Sequence, residues 1–119
     1  MEGMFQTCTS LTSLDFSSFD TSRVTDIRCI FNGCKKLTSL YINHFKTSNV
    51  KDMEQTFASC ASLTILNLSN FDTSSVTIMS NMFSSCSLLS YLNISNFQTN
   101  SVSNMADMFN GCVSLTSHI

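Results

Sequence analysis

The element Phe-x-x-Cys-x-x-Leu recurs at Phe5, Phe31, Phe57, Phe83 and Phe109, each 26 positions after the last, and no insertion breaks the register. The same interval carries Cys8, Cys34, Cys60, Cys86 and Cys112, then Leu11, Leu37, Leu63, Leu89 and Leu115, then Leu14, Leu40, Leu66 and Leu92. Phe19, Phe45, Phe71 and Phe97 form a further column, as do Thr21, Thr47, Thr73 and Thr99, and Val24, Val50, Val76 and Val102. A period of this size marks a repeat architecture, in which a unit too small to bury its own apolar face buries it against the next copy. Residues 1–119 are therefore expected to form a single repeat domain of about 4.5 tandem units.

Within each unit the hydrophobic period switches. Val76, Met79, Met82, Phe83 and Cys86 fall at i, i+3, i+6, i+7 and i+10, which predicts one face of a short helix, and Val24, Ile27, Ile30, Phe31 and Cys34 repeat that face. Thr73-Ser74-Ser75 and its equivalents supply hydroxyls suited to cap the helix start. After the cysteine the pattern alternates, with Leu66 and Leu68 in one register and Ile65, Asn67 and Ser69 in the other, predicting a short half-buried strand. Ser-Asn-Phe-Asp-Thr-Ser then reads as a turn, because these side chains bond their own backbone. The expected fold class is an α/β solenoid: a leucine-rich-repeat-type right-handed coil with a short parallel β-sheet on one face and short helices on the other. The absence of proline fits, since a proline in a laddered column would repeat its lost hydrogen bond in every unit.

Composition narrows the chemistry. Charged residues are only 12% of the chain against 43% hydrophobic, so Ser, Thr and Asn wet the surface. A net charge of -2 gives no electrostatic reason to expect nucleic acid, which needs clustered cations. The six cationic residues all lie between Arg23 and Lys51 and read as a solvated patch. No apolar run is long enough to span a bilayer, so direct membrane insertion is not expected.

Six cysteines invite a metal or disulfide reading, but five form one apolar column with no Cys-x-x-Cys pair or histidine cluster. They are expected to pack as buried free thiols; Cys29 stands outside the column and is the one expected to be partly exposed. Met53, Met79, Met82, Met105 and Met108 share the spacing of Ile27 and Ile30 and read as core filler. His44 and His118 occupy unrelated positions, and no nucleophile, base and orienter assemble from columns that every repeat shares. No catalytic residue, metal or cofactor is expected, and the chain does not read as an enzyme. Asn67-Leu68-Ser69 and Asn93-Ile94-Ser95 satisfy the N-glycosylation sequon.

The segments Met-Phe-Ser-Ser-Cys-Ser-Leu-Leu-Ser-Tyr-Leu-Asn-Ile-Ser-Asn-Phe-Gln-Thr (82–99) and Phe-Asp-Thr-Ser-Ser-Val-Thr-Ile-Met-Ser-Asn-Met-Phe (71–83) resemble the BspA-type leucine-rich repeat surface proteins of bacteria and some parasitic protists. The likeness covers essentially the whole chain. It implies a cell-surface or secreted location and an adhesive role toward host or matrix proteins, without specifying a ligand. Departures are local: Cys29 replaces the Gln, Asn or Asp of its column, Thr56 stands in an Ile/Met column, and the first strand reads Leu14-Asp15-Phe16. The signal peptide, lipobox, anchor and capping repeats expected of such a surface protein are not read in these residues.

The outward strand positions are the expected binding face, with Asp15, Tyr41, Asn43, Asn67, Tyr91 and Asn93 as its candidate residues. The two tyrosines stand out, because amphipathic aromatic residues are favoured interface anchors. The alternative is structural: laddered apolar edges at the two outermost units would stack head to tail into filaments of copies of the chain.

Overall fold

The computed structural model describes residues 1–116; His118 and the final strand position expected there lie outside the described residues. Four three-residue strands occur, β1 (Ser13–Asp15), β2 (Ser39–Tyr41), β3 (Ile65–Asn67) and β4 (Tyr91–Asn93). They pair in parallel with the register of the repeat, Leu14 opposite Leu40 and Leu66 opposite Leu92. The pairing is confined to β1 with β2 and β3 with β4. Leu66 and Leu92 turn into the core, and the residues on either side of each point away from it.

This corrects the expected α/β solenoid. No helix forms among the described residues, and the strands make two separate pairs in place of one continuous sheet. The segments read as helices are chains of tight turns whose amides alternate in direction. Those of Ile27, Cys29, Phe31 and Gly33 donate to the carbonyls of Asp52, Glu54, Thr56 and Ala58 in the next repeat, at 3.2, 3.0, 3.0 and 2.9 Å. Those of Ile30, Asn32 and Cys34 turn back to carbonyls three residues earlier in their own repeat. Met53, Gln55, Phe57 and Ser59 repeat the outgoing set, and so do Met79, Asn81, Phe83 and Ser85.

The physical reason lies in two columns of left-handed backbone. Cys29, Gln55, Asn81 and Asp107 have φ of 53–55°, and Thr7, Gly33, Ser59, Ser85 and Gly111 occupy the same region at φ 58–79°. Two left-handed residues four positions apart in each repeat rule out a helix across that segment. For residues other than Gly, Asn and Asp each costs about 1–2 kcal/mol. The cost is offset because every second amide then bonds the neighbouring repeat, whereas an isolated helix of this length is marginal in water. The apolar spacing fits either path: Ile27, Ile30, Phe31 and Cys34 all turn inward and are buried.

The core is built from ladders of like residues. Five Phe rings stack nearly parallel, with centroids 6.1, 5.6, 5.7 and 5.6 Å apart from Phe5 through Phe31, Phe57 and Phe83 to Phe109. Beside them each column thiol donates to the Phe carbonyl of the preceding repeat: Cys34 to Phe5, Cys60 to Phe31, Cys86 to Phe57 and Cys112 to Phe83, at 3.0–3.3 Å. Cysteine suits the column because it is small, apolar and a weak donor. Burial pushes the Cys60 and Cys86 thiols up, Cys86 to about 12, which keeps these two protonated. Cys29 is half-buried, as its place outside the column predicts, but Cys8 and Cys112 of the column are half-buried too, so the expectation of five buried thiols holds only for Cys34, Cys60 and Cys86. Met53, Met79, Met82 and Met108 are buried as filler, while Met105 is exposed.

Threonines hold a third ladder. The Thr47 hydroxyl accepts from the Asp72 amide at 2.8 Å and donates to the Asp72 carbonyl at 3.0 Å; Thr73 does the same with Gln98 at 2.7 and 2.9 Å. Each hydroxyl therefore replaces a peptide group in the cross-repeat ladder instead of capping a helix. The turn after each strand forms as its sequence predicts, with Asn67 and Asp72 accepting from the Ser69 and Ser74 amides two residues on.

Candidate functional site

Between successive repeats the turn side is laddered and closed by these bonds, and the strand side presents the outward residues to solvent. Ser39 lies beside Ile65 across the β2–β3 junction by the repeat register, and Ile65 pairs with Tyr91; Asp15 pairs with Tyr41, and Asn67 with Asn93. Tyr41, Ile65 and Tyr91 are 65%, 61% and 42% exposed, so three large apolar side chains from three successive strands stand out on one face. Burying such rings against a partner is favourable, and among the described residues they stand largely open to solvent.

The sequence-predicted residues fall as follows. Asp15 is exposed at the end of β1, where the backbone amide and hydroxyl of Ser17 hold its carboxyl below the usual range, so it stays ionised. Tyr41 and Asn67 are exposed on the outward side of β2 and β3. Tyr91 begins β4, and Asn93 at its end is half-buried. Asn43 lies beyond the end of β2, in the turn, yet it faces the same cleft as Tyr41 and Asn67. The structure thus brings Tyr41, Asn43 and Asn67 together and sets Asp15, Tyr91 and Asn93 on the flanking strands. Ile65, read from the sequence as an outward strand position, stands on the same face beside Tyr41, a β-branched apolar residue where the other repeats carry Ser or Tyr.

The cleft joining these residues has a volume of about 370 Å³ and lies where the strand ladder is interrupted, between β2 and β3. At the flanking junctions the Thr38 amide donates to the Thr12 carbonyl and the Ser90 amide to the Thr64 carbonyl, both at 2.9 Å. The equivalent bond from the Thr64 amide to the Thr38 carbonyl is absent among the described residues.

Of the cationic stretch, Arg28 alone forms side-chain ion pairs among the described residues. Arg28 pairs with Asp26 at 2.8 Å, Glu2 at 3.1 Å and Asp52 at 3.6 Å. Burial raises the Asp26 carboxyl, but the hydrogen bonds and charge of Arg28 outweigh it and hold Asp26 low; at Asp52 burial prevails and pushes the carboxyl up. Arg28 is thereby neutralised within the chain. His44 takes the place of Asn70 and Asn96 in its column, and like Asn70 it bonds a carbonyl of the preceding repeat, with its Nε2 on Phe16. Among the described residues no cluster of His, Cys, Asp or Glu is arranged to hold a metal ion.

Comparison with known proteins agrees with this layout. The family described as "Mycoplasma protein of unknown function, DUF285" matches residues 1–119. No curated protein matches the chain. Among solved structures, a leucine-rich repeat protein from Eubacterium ventriosum ATCC 27560 is similar, with a TM-score of 0.63 and 23% identity. The likeness covers 99% of this chain and only 28% of that one, and it is a likeness of fold.

Proposed function

The chain belongs to the family of Mycoplasma protein of unknown function, DUF285, and from that premise we propose that it is a non-catalytic repeat module that binds a protein partner through its strand face. The observation that carries this reading is the row of Tyr41, Ile65 and Tyr91, exposed side by side on successive strands, whereas the other exposed large apolar residues, Met4, Phe19, Leu88, Met105 and Val113, lie outside the strands. The leucine-rich-repeat likeness of the fold supports it, since such scaffolds present side chains from short parallel strands as a continuous surface. We further propose, on the BspA-type resemblance, that the partner is a host or matrix protein and the setting a cell surface or the secreted space.

The test is surface binding of the full chain to a panel of extracellular matrix proteins, with Tyr41→Ala and Tyr91→Ala as variants. Saturable binding to a panel member, weakened by either substitution by about tenfold or more, is the expected result. Binding that survives both substitutions would move the surface elsewhere.

A further inference from the structure

We infer that the cleft between β2 and β3 is a binding site for a neutral sugar ring, held by stacking on Tyr41 and by uncharged amides and hydroxyls. The site goes beyond the protein-binding reading and does not depend on it.

Four observations lead there. First, the cleft is of ligand size, about 370 Å³, toward the lower end of small-molecule sites. Second, its lining is neutral. Ser39, Asn43, Thr64 and Asn67 supply hydroxyls and amides, Tyr41 and Ile65 supply apolar surface, and no charged side chain lines it. Third, the interrupted ladder adds backbone groups, because the Thr38 carbonyl and Thr64 amide lack the cross-repeat bond that both flanking junctions make. Peptide groups left without partners beside an open cleft gain from any ligand able to donate and accept at close spacing. Fourth, Tyr41 is exposed over most of its surface at the rim, so its ring is free to take the face of a ligand.

A sugar ring meets all four conditions, with an apolar C–H face for the tyrosine and a girdle of hydroxyls that both donate and accept. An extended peptide meets them less well. To continue the ladder it would need to lie between β2 and β3 at about 4.8 Å from each, a separation of about 9.6 Å. The two strands still approach within 8 Å, which leaves room for a ligand seated over the junction but not for a third strand within it. The charge of the ligand is constrained as well. Asp15 pairs directly with Tyr41 across β1 and β2 and is ionised, so an acidic sugar would meet like charge beside the stacking ring.

The experiment follows backbone amide shifts of the ¹⁵N-labelled full chain during titration with methyl glucoside, N-acetylglucosamine, lactose and glucuronic acid, and with trialanine as a peptide probe. At least one neutral sugar is expected to shift the amides of residues 38–43 and 64–67 saturably, with glucuronic acid weaker. Tyr41→Phe keeps the ring and should bind as the parent does, whereas Tyr41→Ala should weaken binding by about tenfold or more, equivalent to about 1.4 kcal/mol. Shifts at these residues with trialanine and with none of the sugars would overturn the assignment, as would silence from every neutral sugar or undiminished binding by a folded Tyr41→Ala chain. Sugar binding without any protein partner would sink the proposed function alone, and the reverse would sink this site alone.

Discussion

The turn side and the strand side of each repeat are made from the same 26 residues and held by different means. On the turn side four amides per repeat bond the next repeat, rings and thiols stack in unbroken columns, and threonine hydroxyls close the gaps between peptide groups. On the strand side the four described strands contribute three ladder residues each, the ladder stops between β2 and β3, and the outward residues differ from copy to copy. Where every position is laddered, a change in one repeat disturbs both neighbours, so the columns stay uniform. Where side chains point to solvent the scaffold tolerates variety, and that is where recognition can reside.

The sharpest way to break this contrast is to truncate one aromatic residue on each side. Phe57 sits fully buried in the middle of the ring column, and Phe57→Ala should cost about 3–5 kcal/mol of unfolding free energy by denaturant titration. Tyr41→Ala should change stability by no more than about 0.5 kcal/mol. Equal losses at the two sites would mean that the strand face is structural after all.

Next in size is the threonine ladder. Thr47→Val keeps the volume but strips both bonds from the Asp72 peptide group and should cost about 1–3 kcal/mol, read from the same titration. Thr99→Val, in the same column but exposed, should be nearly silent. Gly33→Ala probes the left-handed backbone. The residue has φ 79°, and an added Cβ would lie 3.3 Å from Thr7 Cγ2, so a loss of about 1–2 kcal/mol is expected. A silent Gly33→Ala would show that the turn path is looser than its hydrogen bonds imply.

The smallest effect belongs to Arg28. Asp26 is held below its usual value, so the stability it contributes is present above the ordinary carboxylate pKa and is lost as pH falls through the lowered folded value. Arg28→Met should therefore destabilise the chain mildly at neutral pH, and the gap between variant and parent should close on acidification. A gap that widens in acid would assign the effect to packing of the arginine stem.

Much of this was legible in the sequence. The period, the inward Leu of each strand, the buried thiols and the Asn and Asp turns follow from columns and side-chain chemistry. The helix did not form, because apolar residues at i, i+3 and i+7 mark an inward face without fixing the backbone that presents it. Gly33, Asn81, Asp107 and Gly111 carried the missing signal: residues tolerant of positive φ recur at two places per repeat, four positions apart. The threonine ladder was hidden for a related reason, since a hydroxyl before an apolar stretch reads as a helix cap until the neighbouring repeat is in place. At the candidate site, Tyr41 and Asn67 were visible as outward residues. The cleft between β2 and β3 was not, because a missing hydrogen bond leaves no mark in the residue pattern.

The central claim, a closed ladder on the turn side and an interrupted one on the strand side, is tested most directly by native-state amide hydrogen exchange. The account predicts strong protection at Phe31, Phe57 and Phe83, protection at Thr38 and Ser90, and rapid exchange at Thr64, whose bonding partner is missing. Protection of Thr64 equal to that of Thr38 and Ser90 would contradict it, by showing that β2 and β3 are joined in solution.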